Sequence, residues 1–183
     1  EWQWIRGQEM DAYKTRPHAM DINEYIKPEM KGDYIVRILD QYFRNVADRE
    51  REEDYFVAQV MGQAARWLEE NHQVHDRFFM HVDCFDPHEP WDPPPSYAAE
   101  YTDPDYNGPK IIIPKGGPCD WMTEEELRFT RGLYAGEVSF VDKWVGHLLD
   151  KLRVEYGSRI DRHLVGARIE HAQDVIGLAD PAT

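Results

Sequence analysis

Cysteine is scarce in this 183-residue chain. Cys84 and Cys119 are the only two, too few for a disulfide framework, and they read as free thiols. Long apolar runs are missing as well. Spanning a bilayer takes about 20 consecutive apolar residues, and no stretch approaches that, so no membrane partner is expected. Positive charge is in deficit: 21 Lys and Arg stand against 35 Asp and Glu, for a net charge of −14. Phosphate backbones are bound by basic faces, so this balance excludes a nucleic-acid partner. It also repels anionic small molecules at long range, and any that bind must be held by local donors. No internal repeat and no leader peptide is visible. Because the chain begins at Glu1, the missing leader assigns no compartment.

What is present is enough for one domain with a sizeable core: 42% apolar residues, six of them tryptophan. Residues 1–32 show no sustained period and read as an irregular segment lying over the rest. Apolar spacing predicts a short helix over 34–46. A second helix is predicted over 52–71, where Phe56, Val57, Val60, Met61, Ala64, Trp67 and Leu68 recur at three and four. Glu52, Glu53 and Asp54 would occupy its first turn. Phe78 to Val82 is short and bulky, as a buried strand would be. Residues 83–118 form a long loop that holds most of the prolines, with Ile111–Ile113 as a short edge strand. Thr123 and Glu126 make a capping box that opens a helix over 123–152. Gly132, Gly136 and Gly146 inside that helix imply close packing against another element. Helices beside strands predict an α/β fold.

Residues 78–95 carry the strongest functional signal. An apolar run ends in Asp83, Asp86, His88 and a cluster of prolines, and α/β enzymes place their chemistry where a strand stops at such a loop. Pro87 and Pro90 bracket His88 and Glu89 and restrict the backbone that holds the histidine. A preorganised histidine suits proton transfer or oxyanion binding, so His88 is the candidate catalytic residue. The alternative is a loop histidine packed between prolines. His81, Asp83, Asp86 and His88 are also metal-ligand residue types. The preferred reading has His81 in the core and the acids as loop caps. Trp91, Tyr97 and Tyr101 read as anchors of the loop rather than as a ligand pocket.

Arg77-Phe78-Phe79-Met80-His81-Val82 followed by Asp86-Pro87-His88-Glu89-Pro90 resembles the sulfatase family of the alkaline-phosphatase-like superfamily. That family carries an apolar strand and then a Pro-His-x-Pro loop. The resemblance continues through Thr123-Glu124-Glu125-Glu126-Leu127, Leu133 to Val138, and Val141 to Gly146. It implies an α/β fold of which residues 1–157 are the central portion, with helices flanking a few strands of a larger sheet. Residues 158–183 form an atypical tail where the family has an apolar strand and an Asp-His-Gly-like motif.

The resemblance further implies cleavage of a sulfate monoester by a hydrated formylglycine, aided by a divalent cation, usually calcium. The substrate would be a sulfated small molecule or carbohydrate, and His88 would contact the sulfate near the leaving oxygen. The paired-aspartate motif, the Cys/Ser-x-Pro-x-Arg segment and the later Asp-His/Asn-Gly motif do not occur here. Neither Cys84 nor Cys119 fits the nucleophile setting. The chain therefore reads as an internal fragment, inactive alone, which binds no cofactor. Hydrolysis of phosphate or phosphonate esters is the close alternative. A non-catalytic acidic α/β module that binds a partner through its aromatic loop is the distant one.

Overall fold

The computed structural model describes residue 5 and residues 13–30, 32–75 and 78–157. The expectation for the 158–183 tail lies outside the described residues.

Three of the four α-helices follow from apolar residues spaced to share a face. α1 (Asp33–Asn45) buries Leu39 and Phe43. α2 (Phe56–Asn71) buries Val57, Ala58, Met61, Ala65 and Leu68. α3 (Pro95–Ala99) is a short helix with proline at its start, where the missing N–H costs nothing. α4 (Glu124–Tyr156) begins at the expected capping box. The Glu126 N–H donates to Thr123 Oγ1 at 3.2 Å, and the Thr123 N–H donates to Glu126 Oε2 at 2.7 Å. Glu126 has a second role, since Lys27 Nζ reaches the same carboxylate at 2.8 Å and the Trp121 carbonyl at 2.9 Å. That buried pair ties the irregular segment before α1 to the start of α4.

The α/β expectation is overturned. Every regular element among the described residues is helical, and there is no sheet. Residues 78–82 lack strand pairing: among the described residues, no backbone–backbone hydrogen bond involves 79–84. Val82 and Cys84 pack inward beside α2 and α4, whereas Phe79 is 90% exposed. A short apolar run looks the same in sequence whether or not a neighbouring strand is there to pair with it. Ile111–Ile113 is not an edge strand either. All three isoleucines are buried, and one backbone bond, from the Trp91 N–H to the Ile112 carbonyl at 2.8 Å, ties the run to the His88 loop. The run plugs the core instead of extending a ladder.

Two apolar clusters result. One joins Leu39 and Phe43 of α1 to Trp91, Ile111, Ile112 and Leu133. The other joins Val57, Ala58 and Met61 of α2 to Phe140 of α4. Ion pairs Lys143–Glu52 and Lys151–Glu69, and the Tyr156 hydroxyl on the Leu68 carbonyl, show α2 and α4 side by side and running the same way. A parallel pair needs a long return connection, and residues 72–123 supply it.

Two of the three glycines in α4 have the expected purpose. A Cβ on Gly132 would stand 2.5 Å from the Tyr101 carbonyl oxygen, and one on Gly136 would stand 3.0 Å from that of Tyr97. Both permit α3 and the turn after it to lie against α4. Gly146 has nothing within 4 Å of such a Cβ, so close packing does not explain it.

Candidate functional site

The acids expected in the first turn of α2 form a separate 3-10 turn, Glu52–Asp54, before it. The carboxylate that meets the N-terminus of α2 comes from elsewhere: the Val57 N–H donates to Asp86 Oδ2 at 3.0 Å. Free N–H groups at a helix start favour a negative partner. The helix thus fixes one end of the segment that carries His88.

The other end is fixed at Trp91 and Asp92. Trp91 is buried, with its indole N–H on the Pro87 carbonyl at 3.1 Å and its ring edge-on to Tyr134 at 5.2 Å. Asp92 Oδ2 accepts from the Tyr42 hydroxyl at 3.1 Å and from Arg49 Nη1 at 3.4 Å. Arg49 Nη1 also meets the Tyr42 hydroxyl at 3.2 Å, and its guanidinium lies 4.0 Å over the Tyr55 ring. Residues 86–92 therefore form a short arch with an aspartate at each foot. The Asp86–Pro87 and Glu89–Pro90 peptides within it are cis.

His88 stands at the crown of the arch. Its ring stacks on Phe85 at 4.2 Å, and its Nδ1 lies 2.9 Å from the Glu89 carbonyl oxygen and 3.1 Å from Glu89 Oε2. Both are acceptors only, so Nδ1 carries a proton and Nε2 is the atom left for a ligand. The side chain is 45% exposed and lines the mouth of a cavity of about 290 Å³. Tyr34, Tyr42, Tyr55, Phe56 and Phe85 supply apolar surface to the cavity, and Asp86, Asp92, Glu137 and Arg49 supply ionisable groups.

Glu137, from α4, is 4% exposed. Burial, and then the carboxylates of Asp86 and Asp92, push its acid well above the usual range, only partly offset by Arg49 and a hydrogen bond from the Asp92 N–H. Burial also raises Asp92, against Arg49, Tyr42 and Lys110. Cys84, close by, has its thiol pushed up to about 12 by burial and the neighbouring Asp86, which removes it as a nucleophile.

His88 is thus placed at a cavity, while His81 and Asp83 are exposed, away from the core position expected for His81. Among the described residues, no three His, Cys, Asp or Glu side chains come together as a metal site. Trp91 is a buried anchor, Tyr97 packs edge-on to Phe140, and the Tyr101 hydroxyl bonds Ser139 Oγ at 2.7 Å, so all three serve the loop. The sequence reading missed Tyr42, Arg49, Asp92 and Glu137. Glu137 did leave a signal, because it shares the apolar face of α4 with Leu133 and Phe140 at helical spacing. Arg49 left none, being one of seven charged residues from Asp48 to Asp54.

No protein-family model matches the chain, and neither a curated protein nor a solved structure matches it at a significant level.

Proposed function

We propose that this chain is part of a sulfatase-like hydrolase in which His88 acts on a sulfate monoester. The observation that carries the reading is a histidine held at a cavity mouth by an arch anchored at both ends, with Nδ1 committed to Glu89. Nε2 of the imidazolium then donates to the ester oxygen that leaves. As the S–O bond breaks, with the sulfuryl group passing to a nucleophile that the complete enzyme would supply, the proton moves from Nε2 to the developing alkoxide, and the ring becomes neutral with Nδ1–H still on the Glu89 carbonyl. A positioned donor of this kind contributes on the order of 10²- to 10⁴-fold. The cavity beyond His88 sets the carboxylates of Asp86 and Asp92 against the guanidinium of Arg49. The sulfate therefore sits at the mouth, and the alcohol part of the ester enters between the aromatic side chains. Formylglycine and a divalent cation would come from segments that this sequence lacks.

Turnover of an aryl sulfate tests this. The chain as it stands is expected to hydrolyse neither aryl sulfates nor aryl phosphates above background, because the described residues hold no activated nucleophile and no cation site. In a complete polypeptide that joins this segment to a formylglycine segment, His88→Ala should lower kcat by on the order of 10²-fold or more. Steady turnover by the isolated chain, or an unchanged kcat in the His88→Ala enzyme, would refute the reading.

A further inference from the structure

The arch has one foot on a helix terminus and the other on a side chain. Asp86 is served by the backbone N–H of Val57, a partner that no substitution other than proline removes. Asp92 relies on Arg49 and Tyr42. Arg49 is the permanent cation lining the cavity, in front of Asp86, Asp92 and Glu137. Lys110 also acts on Asp92, but it is half-exposed and pairs with Glu24.

The guanidinium is itself held in place. It lies 4.0 Å from the centre of the Tyr55 ring and 5.3 Å from that of Phe56, and Nη1 touches both Tyr42 and Asp92. Tyr55 and Phe56 are the residues at which α2 begins, next to the Val57 N–H that holds Asp86. One side chain thus bridges the base of the first foot and the carboxylate of the second.

We propose that Arg49 is the positioning residue of the His88 arch, fixing the Asp92 foot at a set distance from the Asp86 foot and so placing the imidazole at the cavity mouth. Arg49 does not touch the reacting atoms and acts through Asp92. Removing the guanidinium leaves Asp92 beside Glu137 without its nearest cation. A half-buried carboxylate in that position turns outward to water, and Trp91 and the crown shift with it.

The proposal rests on His88 being the working group, and its test is read from the geometry of the arch rather than from turnover. In the purified chain, the ¹⁵N shifts of His88 report which ring nitrogen carries the proton, and nuclear Overhauser contacts report the stack on Phe85. Arg49→Met should weaken the Phe85 contacts at least twofold and loosen the Nδ1–H preference, while amide exchange in the C-terminal half of α4 stays protected. Arg49→Met/Asp92→Asn should bring the His88 signature back. The amide that replaces the Asp92 carboxylate still accepts from the Tyr42 hydroxyl and leaves no charge without its cation, a recovery that a general loss of packing would not reproduce. If Arg49→Met does not fold, Arg49→Lys takes its place, with the same rescue expected from Asp92→Asn. A native His88 signature in the single variant, or a double variant no better than the single, overturns the proposal. Because no substrate is present, that outcome leaves the role of His88 standing. A native arch whose histidine is dispensable for turnover counts against the role of His88 and not against Arg49.

Discussion

Glu137 is held where a carboxylate is costly to ionise: inside α4, facing Asp86 and Asp92. Its folded-state value lies above the ordinary one for glutamate, so the stability it confers is fully present below the unfolded value and is lost as pH rises through the folded one. Asp40 shows the opposite sign. Hydrogen bonds from Arg44 and then His18 hold it low, so its contribution is lost as pH falls through its folded value. Resistance to urea should therefore decline as pH rises from the ordinary glutamate range towards the folded value of Glu137. Glu137→Gln, which keeps an acceptor for the Asp92 N–H, should flatten that decline. Parallel urea midpoints for the two proteins from pH 5 to 8 would show that Glu137 does not set the slope. At this scale, half of the site was legible in sequence. His88 and the stiffness of its segment follow from neighbouring residues. The Arg49, Tyr42 and Asp92 cluster joins positions up to 50 residues apart, and no local pattern encodes it.

The long helix α4 carries its own controls. Gly132 and Gly146 are both interior glycines, and each lowers helix propensity by about 1 kcal/mol against alanine. Their surroundings differ, since a Cβ at 132 meets the Tyr101 backbone and one at 146 meets nothing within 4 Å. Gly132→Ala should destabilise the protein by about 1–3 kcal/mol, because α3 and its following turn must move off the helix. Gly146→Ala should stabilise it by about 0.5–1 kcal/mol. Urea unfolding of the two variants checks this, and shifts of the same sign would remove the packing explanation. The three longer helices were legible, whereas α3 fell inside the stretch read as loop. Their period is sustained over three or more turns, and α4 announces its start with a local hydrogen-bond exchange between Thr123 and Glu126. The strands were misread because a short apolar run, as at 78–82, specifies burial but not a partner. A sheet is a relation between distant segments, whereas a helix satisfies its backbone within itself.

As a whole, the molecule carries a net charge of −14, and that excess bears on the extended segment before His88. From Phe79 to Cys84 the backbone N–H and carbonyl groups pair with no other backbone group among the described residues, and Phe79 lies open beside them. Such a strip is a template for edge-to-edge pairing between molecules. Mutual repulsion of two copies opposes that pairing in dilute buffer, and its reach shrinks to about 10 Å at 0.1 M salt and about 3 Å at 1 M. Added salt should therefore drive this protein into association instead of dissolving it. Light scattering across a salt series should show particle size rising with ionic strength, and Phe79→Lys should suppress the rise by placing a charge in the middle of the strip. A wild-type scattering profile unchanged up to about 1 M, where screening is nearly complete, would mean the strip does not pair. A buffer chosen to calm the charges of this protein would then be the one that precipitates it.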